Sequence, residues 1–402
     1  MSTVKYLFLE PVDVIVLRGN KGSSEPGSYG ECQVPPWPSV MAGALRSQIL
    51  VEDGVDLQAF AGGAERHPTV GTPDEPGSFV LVACHVARRL ANGPVEVVVA
   101  PPADVAILDK RGADGRPTLA VAAMHPVRLL SGGANLRDSY PLPLRPVLAQ
   151  PSRAKPVGGW WFGEAALRAY LAGRLPGAAD LVAVHGLWVS EPRISVSLDP
   201  EKRSVREGLL FTTEAVAMAR RRPRDEKGYD AGFLVGVAGG RAPGSGLRRA
   251  GGDGRAMVIR ELGDYKLPEP DYRAIAESRR CRVVLASPGV FEGGWLPPGV
   301  RREGAEWRFE LRGVRARLVA ACVPRAGLVS GWDLAREQPK AAQRVAPAGS
   351  VYWLDELEAS EQALRELVEA GLWSESCEDP ARRAEGFNRI WLAEWTRQDK
   401  EN

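Results

Sequence analysis

The sequence predicts an α+β protein with two or three domains. Three observations lead there. Its 402 residues are more than one hydrophobic core usually serves. Stretches with strand periodicity alternate with helical ones, and no run of parallel βα units emerges. A hydrophobic content of 44% and a charged content of 25% are ordinary for a globular chain.

Residues 6–9 and 12–17 read as one strand bent near Pro11, with 14–17 an apolar, β-branched run short enough to be buried. A loop then runs from Arg18 to Pro38, punctuated by Gly19, Gly22, Gly27 and Gly30 and by four prolines. Ser39 reads as a helix N-cap, and Val40, Met41, Ala44, Leu45 and Ile49 fall on one helical face. Residues 60–77 are loop-like, 79–86 and 95–100 are strands, and 109–117 is a charged turn. A strand over 119–130 is interrupted at Pro126, a helix is predicted over 163–175, and strand character returns over 181–189.

In the next segment Ile194, Val196 and Leu198 alternate with serines, residues 199–202 make a turn, and 209–213 begin a return strand. This is a β-hairpin carrying Arg193, Lys202, Arg203 and Arg206, charges that on most hairpins simply face water. Arg220, Arg221, Arg222 and Arg224 form a basic run, read either as a polyanion contact or as a solvated turn. A strand at 233–237 precedes Gly251-Gly252-Asp253-Gly254-Arg255, where successive N–H groups beside Arg248, Arg249 and Arg255 suit an anion. A flexible turn is the alternative. Residues 263–270, with two prolines and mixed charge, mark the expected boundary between domains 1–265 and 266–402. Beyond it a helix at 272–279 leads into strands at 282–286, 314–323 and 351–354. Ser360 caps a helix that carries Ala363, Leu364, Leu367 and Val368 and stops at Gly371, and 386–395 is a closing strand.

The loop at 18–38 is the strongest functional candidate, because it is about four times the usual connection. Its glycines permit close backbone approach, Arg18 and Lys21 suit phosphates, and Tyr29 and Trp37 offer faces for stacking. A mobile surface loop of polar composition is the competing reading. No GxxxxGK[ST] motif supports nucleotide hydrolysis. The net charge of +2 excludes a uniformly basic protein and leaves room for a local basic groove. Five cysteines without a CxxC pair suit reduced thiols in a cytoplasmic protein, not a disulfide framework or a zinc site. No secretory leader, transmembrane run, metal site or cofactor is expected. The four histidines, His67, His85, His125 and His185, form no HExxH or His/Cys cluster, and the serine at 330 is not in a GxSxG elbow.

Several motifs resemble the third subunit of the Cmr complex, the type III-B CRISPR effector, within the RAMP superfamily. They are Phe8-Leu9-Glu10-Pro11, Asp13, Leu17-Arg18-Gly19-Asn20, Gly27-Ser28-Tyr29-Gly30, Pro35-Pro36-Trp37-Pro38-Ser39 and Gly43-Ala44-Leu45-Arg46. Further matches are Ser330-Gly331-Trp332-Asp333 with Pro339-Lys340, and the glycine-rich segment ending at Arg255. Where the family often has a second glycine after Phe387, this chain has Asn388 and Arg389. The resemblance implies two ferredoxin-like, RRM-type domains with large loop and hairpin insertions. The aromatic RRM signature is missing, so RNA contact is expected from loops and insertions. The implied role is a non-catalytic RNA-binding and assembly subunit in antiviral defence. It would hold the 5′ repeat-derived tag of the CRISPR RNA and dock the large polymerase-domain subunit. It would also meet the repeated backbone subunit and approach target RNA indirectly. The RNA-binding candidates are Arg18, Gly19, Asn20, Lys21, Ser28, Tyr29, Trp37, Ser39, Arg46, Arg193, Arg203, Gly251, Gly252, Gly254, Arg255, Trp332, Lys340 and Arg344. The alternative is a metal-independent endoribonuclease that processes CRISPR RNA, with His125 as the histidine to test.

Overall fold

The computed structural model describes residues 3–17, 29–91, 93–111, 117–128, 139–148, 154–198, 201–202, 204–221, 228–250 and 254–396. The first half contains strand β1 (Lys5–Pro11), helix α1 (Pro38–Glu52), and strands β2 (Val80–Leu90) and β3 (Val95–Val98). Then come β4 (Val105–Arg111), β5 (Pro117–Val127), β6 (Arg145–Leu148), helix α2 (Glu164–Leu171), β7 (Trp188–Leu198) and β8 (Val205–Met218). It closes with β9 (Tyr229–Ala238), β10 (Gly246–Ala250) and β11 (Arg255–Glu261). The second half opens with helix α3 (Tyr272–Ser278) and strands β12 (Cys281–Leu285), β13 (Val300–Glu303), β14 (Glu306–Leu311) and β15 (Val314–Cys322). It continues through β16 (Gly327–Val329), β17 (Gln343–Val345), β18 (Val351–Glu358), helices α4 (Glu361–Ala370) and α5 (Pro380–Glu385), and β19 (Ile390–Glu394).

Two six-stranded sheets dominate, with the spatial orders β10-β11-β1-β9-β2-β3 and β13-β14-β15-β18-β12-β19. Every neighbouring pair in both is antiparallel. The fold is therefore α+β, as expected. The period-2 alternation of β1 divides its side chains between two cores. Leu7 and Leu9 pack with Met41, Leu45 and Ile49 of α1, whereas Phe8 points into a core shared by both halves. That shared core joins Ala87 and Leu234 of the first sheet to Val284, Val319, Val351 and Trp353 of the second, with Leu167 and Tyr170 of α2 between them. A separate core lies under α4, where Leu364 and Leu367 meet Leu318, Leu354 and Leu392.

Three local expectations are corrected. Residues 14–17 are buried but do not extend β1: Ile15 bridges to Val216 and the Leu17 carbonyl accepts from the Gln33 N–H, neither of them a partner of β1. The first helix begins at Pro38 with Trp37 at the N-cap and no side-chain cap, so Ser39 is inside the helix. Proline fits there because its missing N–H falls where no intrahelical acceptor exists. Gly386 closes α5 in the left-handed conformation at φ 92°, and the last strand starts only at Ile390. The capped helix matches the reading: Ser360 accepts from the Ala363 N–H, and Gly371 ends it at φ 74°.

A buried ionic group fixes the two halves together. Asp104 is fully buried beside β4 and accepts from Arg282 of β12 at 2.9 Å and from the Tyr170 hydroxyl at 2.8 Å. Arg282 also donates to the backbone carbonyls of Tyr170 and Glu394, each at 3.0 Å. Burial, opposed in part by Arg282 and reinforced by Asp104, pushes the Tyr170 hydroxyl well above its ordinary value. The charge network on the outer face of β14, β15 and β18 is different in kind. There Arg317 meets Asp355 at 2.9 Å while remaining 28% exposed.

Asp104→Asn is expected to cost about 3–5 kcal/mol in chemical denaturation, because it leaves Arg282 buried and unpaired. Arg317→Gln is expected to cost about 1 kcal/mol or less. Equal losses would contradict this account. A second prediction concerns His85 of β2, which is buried and stacks on Trp391 at 5.1 Å. Burial pushes its pKa down from 6.5 to about 4. The unfolded chain then binds a proton that the folded one refuses, so stability is complete above pH 6.5 and falls as the pH approaches 4. His85→Phe should flatten the pH dependence of the melting temperature in that window.

Candidate nucleic-acid interface

The long hairpin of β7 and β8 supports the candidate loop. Before the loop, Ile15 bridges to Val216 of β8. After it, Tyr29 and Gly30 run parallel to Thr212 and Thr213 of the same strand. The Gln33 N–H donates to the Leu17 carbonyl at 2.9 Å and closes a neck, the signature of a loop whose ends are held together. Glu214, the acidic residue closing the hairpin segment in the sequence, fastens the returning chain by accepting from the Cys32 N–H at 2.9 Å. Arg18, Gly19, Asn20, Lys21 and Ser28 lie outside the described residues, as does Arg203. Arg193 stands opposite Thr213, 3.4 Å from Glu191.

Beyond the neck the chain crosses to the second half. The Trp37 ring packs with Val329, Val345, Trp373 and Phe387, and its indole N–H is buried without a protein acceptor. That ring is used in joining the halves. Arg46 donates to the Val70 carbonyl at 3.1 Å; burial lowers its pKa, and the field of Glu385 opposes the fall. Glu385 is buried and binds Lys340 at 2.6 Å and Arg382 at 2.9 Å. Arg382 in turn donates to Gln343 at 2.7 Å and to the Ser330 carbonyl at 3.1 Å. The structure thus brings Arg46 and Lys340 to one carboxylate, Glu385, from opposite ends of the sequence, with the charge of Lys340 answered internally. Ser39 is the second residue of the same helix as Arg46. On the same segment Trp332 is 57% exposed, and Arg344 is also exposed opposite Leu328.

The glycine-rich segment joins β10 to β11, whose ends pair at Ala250 and Arg255. Gly251 and Gly252 lie outside the described residues, whereas Gly254 adopts φ 59°. Arg255 pairs through its backbone with Ala250, and its Nε is buried without a partner. Arg248 is held by Glu52 at 3.0 Å, which leaves Arg249 as the exposed cation of the pair. The Val12 N–H donates to the Ala256 carbonyl at 2.9 Å, so this hairpin sits where the chain leaves β1 for the loop. The other glycine position of interest is taken up internally. Asn388, at φ 59°, accepts from the Val290 N–H at 2.6 Å and donates to the Leu372 carbonyl at 2.9 Å.

Two of the histidines have defined surroundings among the described residues. His67 binds Asp53 at 3.0 Å and accepts from the N–H groups of Thr69 and Val70, a turn-holding role. His125, on β5, is pushed down by burial and then by Arg282, with Asp104 opposing. Among the described residues no three His, Cys, Asp or Glu side chains converge in a metal-ligating group. Glu385 was missed by sequence reasoning; the only signal was its i,i+3 spacing from Arg382 in a short helix.

The model of the family described as CRISPR-associated protein (Cas_Cmr3) matches residues 7–395. No curated protein matches the chain. Among solved structures, a cryo-EM structure of the type III-B Cmr-beta bound to cognate target RNA is similar, with 13% identity and a TM-score of 0.43 over 87% of this chain and 86% of that one. Another, bound to cognate target RNA and AMPPnP, has 10% identity and a TM-score of 0.41 over 90% of this chain and 88% of that one. The chain belongs to the CRISPR-associated Cas_Cmr3 family.

Proposed function

We propose that this chain, as a subunit of a type III-B CRISPR effector, binds RNA and organises assembly without catalysing cleavage. It holds the 5′ repeat-derived tag of the CRISPR RNA, docks the large polymerase-domain subunit and meets the repeated backbone subunit. The observation that carries this reading is the neck. A long glycine- and arginine-bearing loop leaves and rejoins one strand of a projecting hairpin, closed by the bond from Gln33 to Leu17. Such a loop presents charge and backbone donors from a fixed base. The surroundings of the histidines favour binding over hydrolysis.

The strand orders support two ferredoxin-like units. In the first sheet, β1, β2, β9 and β11 stand in the order fourth-first-third-second, with α1 following the first strand. In the second, β12, β15, β18 and β19 stand in the same order, with α4 following the third. The unit limits proposed remain 1–265 and 266–402.

Arg18→Ala combined with Lys21→Ala is expected to weaken binding of tag-bearing RNA. It should also flatten the slope of log affinity against log salt by about 0.7 per lost phosphate contact. An unchanged affinity and slope would remove the loop from the RNA site. Incubation of the full chain with labelled repeat RNA should give binding without cleavage, in both the parent and His125→Ala. Specific cleavage by the parent, lost in His125→Ala, would establish the endoribonuclease instead.

A further inference from the structure

Glu10 stands near the end of β1 and is buried. Three guanidinium groups from three other segments converge on its carboxylate. Arg89 of β2 lies 3.3 Å from Oε2, Arg260 of β11 lies 3.4 Å from the same oxygen, and Arg220, just past β8, lies 3.8 Å from Oε1. Arg89 also pairs with Asp230 of β9 at 2.9 Å, and the Arg221 N–H donates to that carboxylate at 3.1 Å. The Arg221 side chain is exposed. Three guanidinium groups against the two carboxylates of Glu10 and Asp230 leave one positive charge in excess.

The donors are also in excess. Among the described residues, Arg260 bonds only through Nε, to Glu10, and Arg220 only through Nη2, which reaches the Pro11 carbonyl at 2.6 Å. Both Nη groups of Arg260, and Nε with Nη1 of Arg220, therefore keep N–H groups free, on side chains that are each 49% exposed. Gathering like charges is unfavourable unless an anion answers them, and a phosphodiester supplies one charge and two acceptor oxygens. The position favours RNA over an acidic peptide. Pro11, whose carbonyl holds Arg220, precedes Val12, which bonds to Ala256 in the glycine hairpin. Arg220 itself follows the strand that anchors the loop neck.

We propose that Arg89, Arg220 and Arg260, gathered by Glu10, form a phosphodiester-binding site for the RNA strand at the foot of the long hairpin. Glu10 positions the guanidinium groups and makes no contact with RNA. This site rests on the reading of the protein as an RNA binder.

The test measures binding of labelled single-stranded tag RNA to the full chain across a salt series. Arg260→Gln should lose affinity about tenfold near 0.1 M salt, with a slope shallower by about 0.7 and an unchanged melting temperature. Arg260→Lys should restore the slope, since charge alone sets it. Parent-like affinity and slope in Arg260→Gln, while the Arg18→Ala/Lys21→Ala variant is weakened, would overturn this site and leave the RNA-binding reading intact. A parent chain that binds no RNA would overturn both. Unchanged RNA binding with loss of assembly onto another protein subunit would reassign the cluster to an acidic protein segment and overturn the proposal.

Discussion

The contact between Asp104 and Arg282 sets the relation of the two sheets, and the candidate interface depends on that relation. Arg282 lies on the first strand of the second sheet yet reaches Asp104, the carbonyl end of α2 and the last strand at once. A guanidinium buried at such a junction must satisfy several donors, and here a carboxylate and two carbonyls do so. Desolvation makes a buried pair an uncertain source of net stability, but it penalises strongly any arrangement that separates the partners. The pair therefore acts as a register for the two halves. With that register fixed, Trp37 from the first half reaches Val329 and Val345 in the second.

The two halves differ in which strand of the sheet is followed by a helix. The first sheet has a helix after its first strand and, in place of one after its third, the glycine-bearing hairpin of β10 and β11. The second has a helix after its third strand and the edge hairpin of β13 and β14 where the other would be. A hairpin replacing a helix leaves backbone donors and short loops at the surface. It sets β10 at the edge of the first sheet.

Carboxylates decide which cations remain for a ligand. A net charge of +2 conceals a protein in which many arginines already have internal partners. Glu385 takes Lys340 and Arg382, Glu52 takes Arg241 and Arg248, and Asp355 takes Arg317. At Glu10 the balance is reversed, with three guanidinium groups sharing one carboxylate. Basic residue counts along the chain cannot distinguish these cases, because the neutralising partner is usually distant in sequence.

The sequence alone determined the α+β class, the amphipathic helix carrying Met41, Leu45 and Ile49, the capped helix after Ser360, the long hairpin and the family. These follow from local periodicity, capping chemistry and contiguous motifs, which act over a few residues. It also marked out the loop at 18–38 and the glycine hairpin. Tertiary structure decided where strand β1 lies, since residues 14–17 have the same apolar composition as a strand but pair with Val216 and Gln33 and not within the sheet of β1. It likewise turned Trp37 and Arg46 to packing, supplied Lys340 with Glu385, and gathered Arg89, Arg220 and Arg260 around Glu10. Those outcomes depend on burial and on pairings across up to 250 positions in the chain, and no local pattern encodes them.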